Sequence, residues 1–336
     1  MIKKGVFIIA EIGQAHDGSL GILHSYIDAV AETGVDAIKF QTHIADAESS
    51  EFEKFRVNFS YVDKTRRDYW ERMSFTKAQW KAIKQHCDDV GLEFISSPFS
   101  ISAVELLENL GVKKYKFGSG EISNMLMLET VCKTGKDIIL SSGMSCFNEL
   151  DKAVGIVEGY GNKLTLLQCT TKYPTFPEDV GLNVITEMKK RYGVDVGLSD
   201  HSGNIFPSLA AVSLGASMIE AHVVFDKRMF GPDSSSSLTV DAFKTLVTGV
   251  HDISKMLSNP IDKNDIAEKL ELKKMFGKSL AVRKALPSGH IITIEDLETK
   301  KPAGYGIPAS DFKSIIGKKL NKSLDQWAFL TENDIL

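Results

Sequence analysis

Two histidines, His201 and His222, lie just after two consecutive runs of strand-forming residues, 194–198 and 218–221. A parallel barrel collects its reactive side chains at the carboxyl ends of its strands. Two neutral imidazoles placed there by neighbouring strands could bind Mn²⁺, Fe²⁺, Co²⁺ or Zn²⁺, with water and substrate oxygens as further ligands. For a single histidine, an ordinary polar position in a loop is the simpler interpretation. The metal site therefore depends on what the other strand ends carry.

The other strand ends carry reactive groups as well. Glu11 ends the first strand and Glu121 follows the fourth, and both are candidates for acid–base catalysis, with a buried structural carboxylate as the alternative. Lysines and hydroxyls at the same edge could hold a phosphate through charge-assisted hydrogen bonds, whereas a single lysine there would be a solvated surface charge. The candidate phosphate site consists of Lys39, Lys116, Ser119 and Ser141.

The elements that must position these groups alternate along the chain. Short apolar runs, typical of strands covered on both faces, alternate with longer amphipathic runs from the start to about residue 258. Eight such units over ~250 residues predict an α/β fold, the (β/α)8 TIM barrel. A doubly wound open sheet is the competing fold, but no G-x-G-x-x-G motif follows the first strand. The predicted strands are 6–12, 37–40, 93–96, 114–117, 137–140, 163–168, 194–198 and 218–223.

The alternating pattern stops at about residue 260. We predict a catalytic TIM-barrel domain over residues 1–260, a charged helical linker over 261–278 and a small β-rich module over 279–336. A module of about 60 residues has a modest core of its own and is expected to dock on another surface. Two long connections, 42–75 and 225–239, are candidates for lids or binding loops.

The composition excludes several classes of protein. A net charge of −4 over 336 residues provides no basic surface for nucleic acid. No run approaches the ~20 apolar residues of a membrane-spanning helix, and the apolar run near the start is too short for a signal sequence. The four cysteines show no C-x-x-C spacing, which is typical of reduced thiols in the cytoplasm. We therefore expect a cytoplasmic protein without nucleic-acid or membrane partners.

The strand ends and the loop after the last strand carry a distinctive set of motifs. In order they are IIAEIG (8–13), IKFQT (38–42), SSPFS (96–100), YKFGSGE (115–121), LSSGM (140–144), GLSDH (197–201) and GPD (231–233). Taken together, they resemble the motifs of the N-acetylneuraminate (sialic acid) synthase family. The C-terminal module is similar to the antifreeze-like (SAF) domain of that family. The resemblance covers essentially the whole chain, and the ordered set is far more specific than any single motif.

The resemblance implies an aldol-type condensation of phosphoenolpyruvate with an N-acetylated amino sugar, N-acetylmannosamine or a derivative. The products would be a nonulosonic acid and inorganic phosphate. It also implies a homodimer in which the C-terminal domain of each subunit caps the barrel of its partner. His201 and His222 would bind a divalent metal, Mn²⁺ with Mg²⁺ or Co²⁺ as alternatives, that polarises the aldehyde of the sugar.

The remaining roles follow from the same resemblance. Phosphoenolpyruvate would contact Lys39, Lys116, Ser97, Ser119, Ser141 and Ser199. The sugar, and the protons exchanged with it, would be handled by Glu11, Gln41, Glu121, Tyr173 and Asp233, with Lys301 of the cap domain near the N-acetyl group.

Three positions depart from the family pattern. Ala15 precedes His16 where an asparagine is usual, so one polar contact is missing or is supplied by Gln14. Thr171 stands where sialic acid synthases can carry asparagine, and Lys301 stands where an arginine contacts the N-acetyl group. Because a lysine lacks the planar fork of an arginine, the acceptor sugar stays open between N-acetylmannosamine, a diacetylated legionaminate precursor and another derivative.

Two other functions remain to be distinguished. A Schiff-base aldolase would use Lys39 or Lys116 as a nucleophile, and would be trapped with pyruvate by borohydride without metal. A non-catalytic sugar- or ice-binding protein would use the small domain, and would have no need of the complete set of strand-end residues.

Overall fold

A computed structural model describes residues 5–55 and 59–336 of the protein. Residues 56–58, within the long connection predicted over 42–75, lie outside this description. The described chain separates into two compact units, the first ending at Asn259 and the second comprising Pro260–Leu336. No helix of the described ranges is long and apolar enough to cross a membrane.

Eight parallel strands form the centre of the first unit. They are β1 (Phe7–Glu11), β2 (Ala37–Thr42), β3 (Glu93–Pro98), β4 (Lys114–Phe117), β5 (Asp137–Ser141), β6 (Leu164–Cys169), β7 (Asp195–Asp200) and β8 (Met218–Val224). Each strand pairs with the next, and β1 also pairs with β8, so that Glu11 lies opposite both Lys39 and His222. This last pairing closes the sheet. The barrel prediction is confirmed, and the open-sheet alternative is wrong.

Helices connect the strands around the outside of the barrel. They are α1 (Leu20–Ala31), α2 (Ala45–Glu48), α3 (Arg66–Met73), α4 (Lys77–Asp89), α5 (Ile101–Leu110), α6 (Met125–Cys132), α7 (Phe147–Tyr160), α8 (Leu182–Tyr192), α9 (Phe206–Ser213) and α10 (Val240–Ser258). A two-residue strand, β9 (Leu238–Thr239), pairs with β8. The long connection between β2 and β3 thus carries two short helices that the sequence pattern did not indicate.

Local sequence explains where these helices begin and end. Thr76 and Gln79 form a reciprocal capping box at the start of α4, which satisfies amide groups that the helix itself leaves unpaired. Gly111 ends α5 with φ +72°, a conformation that costs glycine little. Helix caps and glycines of this kind occur at many of the helix ends in the barrel. They make the alternation of strands and helices predictable from the sequence.

The barrel interior is filled in layers. Its lower layer is an apolar cluster contributed by six of the eight strands, formed by Ile9, Ala37, Ile95, Ile139, Leu167 and Met218. Successive side chains of a strand point to opposite faces, so residues two positions further along also face the interior. The interior therefore continues toward the carboxyl ends of the strands, and there it becomes polar.

The second unit is small and rich in β structure. Helix α11 (Leu270–Phe276) precedes an antiparallel pair, β10 (Ser279–Val282) and β11 (Leu297–Lys300). Five isolated bridges among the described residues extend the pairing. Its separate apolar core includes Leu280, Val282 and Leu330, each at most 1% exposed. The residues predicted as a linker, 261–278, belong to this unit and include α11.

Candidate active site

The layer above the apolar interior consists almost entirely of polar side chains. Two positions beyond the apolar layer, the strands place Glu11, Lys39, Ser97, Ser141, Cys169 and Glu220, and Lys116 and Ser199 contact Glu220 from β4 and β7. All eight residues are buried, with at most 5% of their surface exposed. This layer brings together six of the residues that the sequence predicted, since Cys169 and Glu220 carried no assigned role there.

Glu220 is the hub of the buried charges. Its Oε1 lies 3.4 Å from Lys116 Nζ and accepts a hydrogen bond from Ser199 Oγ at 2.9 Å, while its Oε2 lies 3.9 Å from Lys39 Nζ. Lys39 also makes a close ion pair with Glu11. Two carboxylates and two ammonium groups therefore alternate, so that the cluster as a whole carries no net charge. The position of Glu220, two residues before His222 on the same strand, is the signal that could have identified it.

The pKa values of these groups follow from burial and from their partners. Burial alone would lower the pKa of Lys39, but the Glu11 and Glu220 carboxylates outweigh it and raise that pKa. Burial and the neighbouring Lys39 lower the pKa of Lys116, with Glu220 opposing. Burial would raise the pKa of Glu220, yet the two lysines and the Ser199 hydroxyl hold it below its ordinary value. Glu220 is therefore a carboxylate, and of the two lysines Lys116 is the one whose pKa is lowered.

Hydroxyl and thiol groups converge beside the lysines, around Gly143. The Gly143 amide donates to Ser119 Oγ at 3.0 Å. A Cβ at Gly143 would lie 2.5 Å from Thr171 Oγ1, 2.6 Å from Ser119 Oγ and 3.0 Å from Cys169 Sγ. The hydroxyls of Ser141 and Thr171 are buried and have no hydrogen-bond partner among the described residues. Buried donors without a partner are costly and therefore rare. They are expected where a ligand completes the hydrogen-bond network.

His201 and His222 face each other across the mouth, with ring centroids 5.4 Å apart. The Thr170 carbonyl lies 3.0 Å from His201 Nδ1, which places a proton on Nδ1 and makes Nε2 the nitrogen that would bind a cation. That Nε2 lies 3.1 Å from the hydroxyl of Tyr173, whose ring stacks on the imidazole. Burial lowers the pKa of His222, which favours the neutral ring. Burial would lower the pKa of His201 as well, but the Cys169 sulfur and the Thr170 carbonyl outweigh it and raise that pKa to about 9. His222 can thus present a lone pair directly, whereas His201 must give up a proton before it can bind a cation.

These two histidines fit a metal site with few protein ligands. The Asp233 carboxylate and His222 Nδ1 would each lie 3.5 Å from a Cβ built on Gly13, so an acidic group stands beside the second imidazole. Among the described residues, however, no cluster of three or more histidine, cysteine, aspartate or glutamate side chains could hold a metal by itself. The donor set therefore suits a cation whose other ligands come from substrate and water.

The predicted acid–base residues lie on either side of this mouth. Gln41 Nε2 donates to Glu11 Oε1 at 2.8 Å. Burial raises the pKa of Glu121, assisted by the charge of Glu48 and opposed by a 2.9 Å hydrogen bond from Asn124 Nδ2. Glu121 is therefore poised to carry a proton nearer neutrality than an exposed glutamate would be.

The loop after β1 contains His16 and Gln14, which flank the unusual Ala15. His16 Nδ1 accepts the Gly18 amide at 3.0 Å, and burial, with the nearby His43 and Arg72, lowers the pKa of His16 to about 3. His16 is therefore a neutral residue that holds its own loop. Gln14, next to the unusual Ala15, donates instead to Gln41 Oε1 at 2.8 Å.

Lys301 belongs to the second unit, where its Nζ lies 4.9 Å from the centre of the Phe276 ring, and its contact with the sugar stays a prediction. In the first unit, a cavity of about 620 Å³ lies away from the site, at the amino ends of the strands, where Phe7, Lys114 and Met218 line it. The chemistry is concentrated at the opposite end of the barrel.

Comparison with known proteins agrees with this geometry. The NeuB family profile matches residues 26–262, and the SAF domain profile matches residues 277–336. The N,N'-diacetyllegionaminic acid synthase of Campylobacter jejuni is 34% identical over 335 residues, which cover 98% of this chain and 100% of that protein. The N-acetylneuraminate-9-phosphate synthase of Homo sapiens is 33% identical over 331 residues, covering 95% and 90%.

A solved structure shows the same relationship. The N-acetylneuraminic acid (sialic acid) synthetase from Leptospira borgpetersenii, crystallised in complex with citrate, superposes with a TM-score of 0.71 at 30% identity. The match covers 80% of this chain and 92% of that one. The resemblance inferred from the motifs is confirmed, and the chain belongs to the NeuB family.

Proposed function

We propose that the mouth of the barrel binds phosphoenolpyruvate and an N-acetylated amino sugar and joins them into a nonulosonic acid, with release of inorganic phosphate. By its family the chain is a condensing enzyme of this class, since relatives 34% and 33% identical over nearly its whole length are nonulosonic acid synthases. The acceptor is N-acetylmannosamine or a derivative, with a diacetylated legionaminate precursor as the alternative.

One observation carries the proposal. The mouth combines two buried lysines, Lys39 and Lys116, with buried hydroxyls of Ser141 and Thr171 that lack partners among the described residues. Ammonium groups and free hydroxyls in a dry site form strong hydrogen bonds to a phosphorylated carboxylic acid. Ser97 and Ser199 belong to the same layer, Ser119 lies beside Gly143, and all three are candidates to contact phosphoenolpyruvate.

We assign the divalent metal, Mn²⁺ with Mg²⁺ or Co²⁺ as alternatives, to His201 and His222. Bound there, a divalent cation would supply Lewis-acid polarisation of the sugar aldehyde. Tyr173 stacks on His201 and Asp233 stands beside His222, so both are placed to contact the sugar.

The carboxyls and the glutamine would direct the bond changes. C3 of phosphoenolpyruvate attacks the aldehyde carbon, and the aldehyde oxygen takes up a proton, for which Glu121 is the candidate donor. Water adds at C2 and loses a proton, for which Glu11 is the candidate acceptor. The bond between C2 and the phosphate oxygen then breaks, the new C2 hydroxyl gives its proton to the departing phosphate, and C2 becomes a carbonyl. Gln41, which donates to Glu11, orients both that carboxylate and the sugar.

Three further assignments belong to the proposal. A homodimer in which the SAF domain caps the partner's barrel would bring Lys301 to the sugar, and light scattering should then give twice the chain mass of 37.0 kDa. The cytoplasm is the proposed location, which the absence of disulfides among the described cysteines supports.

The test is a phosphate-release screen of candidate N-acetyl sugars with phosphoenolpyruvate and Mn²⁺. His201→Ala and His222→Ala should abolish release and weaken Mn²⁺ binding measured by paramagnetic resonance, while His251→Ala, an exposed histidine of α10, should change neither. Unaltered release in both site variants would refute the metal assignment. Metal-independent trapping of pyruvate by borohydride, without phosphate release, would establish a Schiff-base aldolase instead.

A further inference from the structure

A line of hydrogen-bonded polar side chains runs outward from Glu11 into the connection after β2. Gln41 Nε2 donates to Glu11 Oε1 at 2.8 Å, and Gln14 Nε2 donates to Gln41 Oε1 at 2.8 Å. Gln14 Nε2 also lies 2.9 Å from His43 Nε2, and His43 Nδ1 lies 2.6 Å from Glu48 Oε1. We call these five side chains the relay.

The middle of the relay is rigid and dry. Gln14 is 6% exposed and His43 is 3% exposed. The His43 ring is stacked between Trp70 and Phe99, with centroid distances of 3.8 and 4.5 Å and interplanar angles of 16° and 13°. An imidazole clamped between two rings cannot turn, so each of its nitrogens keeps a single direction and a single set of neighbours.

The direction of every hydrogen bond in the relay follows from its two ends. The Glu11 carboxylate only accepts, so the NH₂ group of Gln41 faces it and the Gln41 oxygen faces Gln14. Gln14 must then direct its own NH₂ group toward both Gln41 and His43. His43 Nε2 also lies 3.3 Å from Gln41 Oε1, but its contact with the Gln14 NH₂ group is shorter, at 2.9 Å. The shorter contact assigns Nε2 as the unprotonated nitrogen, and Nδ1 carries the proton that it donates to Glu48.

Reversal at one point would propagate to the other end. A proton on His43 Nε2 would oppose the Gln14 NH₂ group at 2.9 Å. Turning the Gln14 amide would bring two carbonyl oxygens together at Gln41, and turning Gln41 would place an oxygen against the Glu11 carboxylate. Such networks are worth more than their separate bonds because each member fixes the next.

We propose that Gln14, His43 and Glu48 are positioning residues, which act through Gln41 to hold Glu11 and the free Gln41 N–H in the orientation that the sugar requires. This inference rests on the proposed roles of Glu11 and Gln41. It also explains how the chain tolerates Ala15, since the polar contact at this loop comes from Gln14.

Glu48→Gln is the decisive variant. The Ile44 amide donates to Glu48 Oε2 at 3.2 Å, so a glutamine would turn its oxygen toward Ile44 and its NH₂ group toward His43 Nδ1. The tautomer of His43 should then reverse, which ¹⁵N NMR of labelled histidine detects directly. Gln14→Leu should leave the proton on Nδ1, because Glu48 is still present to accept it. Glu53→Gln is the matched control, since Glu53 lies in the same connection and binds Trp70 Nε1 but lies outside the relay.

Kinetics supply the second readout. Glu48→Gln and Gln14→Leu should each lower kcat about tenfold with little change in the KM for phosphoenolpyruvate, and the double variant should lose about tenfold rather than a hundredfold, because one relay is broken once. A direct effect of Glu48 on Glu121 would persist in the Gln14→Leu background and multiply.

Different results would refute the positioning role and the proposed function. An unchanged His43 tautomer in Glu48→Gln, or losses that multiply to a hundredfold, would overturn the positioning role. A wild-type chain with the Nδ1 tautomer that releases no phosphate with any acceptor would instead refute the proposed function.

Discussion

Replacing Thr171 with valine should make the protein more stable and a poorer enzyme. The two side chains have nearly the same shape, so the substitution exchanges a hydroxyl for a methyl group with little change in packing. Thr171 Oγ1 is buried and has no hydrogen-bond partner among the described residues. A structural role alone would not retain such a hydroxyl, because burying it unpaired costs free energy.

The expected effects on stability and on substrate binding have opposite signs. An unpaired buried hydroxyl costs about 1–3 kcal/mol, so its removal should stabilise the unliganded protein by about 1 kcal/mol. For a domain of this size that corresponds to a rise in Tm of about 2–4 °C. If the same hydroxyl donates to a phosphate oxygen, the lost charged hydrogen bond is worth about 1.5–3 kcal/mol. The KM for phosphoenolpyruvate should then rise about tenfold or more.

The assay pairs thermal unfolding without ligand with steady-state phosphate release over a range of phosphoenolpyruvate concentrations. Thr42→Val is the matched control, because the Thr42 hydroxyl is also buried but shares a 2.7 Å hydrogen bond with Ser96 Oγ. That variant should lower Tm and leave the KM for phosphoenolpyruvate within about twofold. A lower Tm in Thr171→Val, or an unchanged KM for phosphoenolpyruvate, would show that this hydroxyl does not bind the phosphate group.

Three other substitutions test the layers of the barrel and the small unit. Gly143→Ala should crowd the hydroxyls around it, which should lower stability by about 1–3 kcal/mol and raise the KM for phosphoenolpyruvate. Melting curves and phosphate release measure the two effects. A variant with unchanged stability and KM would contradict the convergence of side chains at this glycine. Gly197→Ala should cost about 3 kcal/mol in urea unfolding, since its Cβ would lie 2.1 Å from the Met218 carbonyl oxygen. Asp296→Asn should cost about 2 kcal/mol at neutral pH. Burial would raise the pKa of Asp296, but hydrogen bonds from His290 and its neighbours hold it below the ordinary value. Its stabilisation is therefore complete above the unfolded pKa of about 3.9 and is lost as the pH falls, so melting curves of the two proteins should converge in acid.

The barrel could be predicted because each of its strands is marked locally. Apolar runs such as the one around Ile139 are bounded by glycines and by amphipathic helices, and eight of them fit one closed fold. The helix Arg66–Met73 was missed because its sequence, RRDYWERM, has only a short apolar face. Its burial of Tyr69 and Trp70 depends on Ala45, Phe55 and Phe59 of the same irregular connection, which follow no helical or strand period.

The membership of the site could be predicted, but not its pairing. Position at a strand end was enough to select Lys39 and Lys116. Which carboxylate each lysine contacts depends on strand register and on side-chain reach, and this is why Glu220 received no role. The relay through His43 was inaccessible for a related reason, since it joins two separate loops whose approach is set only by the closed barrel.

Positive and negative side chains alternate in the polar layer, and this limits how the effects of mutations there can be interpreted. Glu11, Lys39, Glu220 and Lys116 are buried together, and removing one member leaves another charge buried without its partner, at a cost of about 3–5 kcal/mol. Loss of activity in Lys116→Ala would therefore reflect damage to the fold as much as loss of a phosphate contact. Variants that keep shape and remove one hydrogen bond, with stability and KM measured on the same protein, separate the two effects. Folding and binding use the same lysines. Glu220 pairs with Lys39 and Lys116, and the negative charge of the substrate must compete with Glu220 for them.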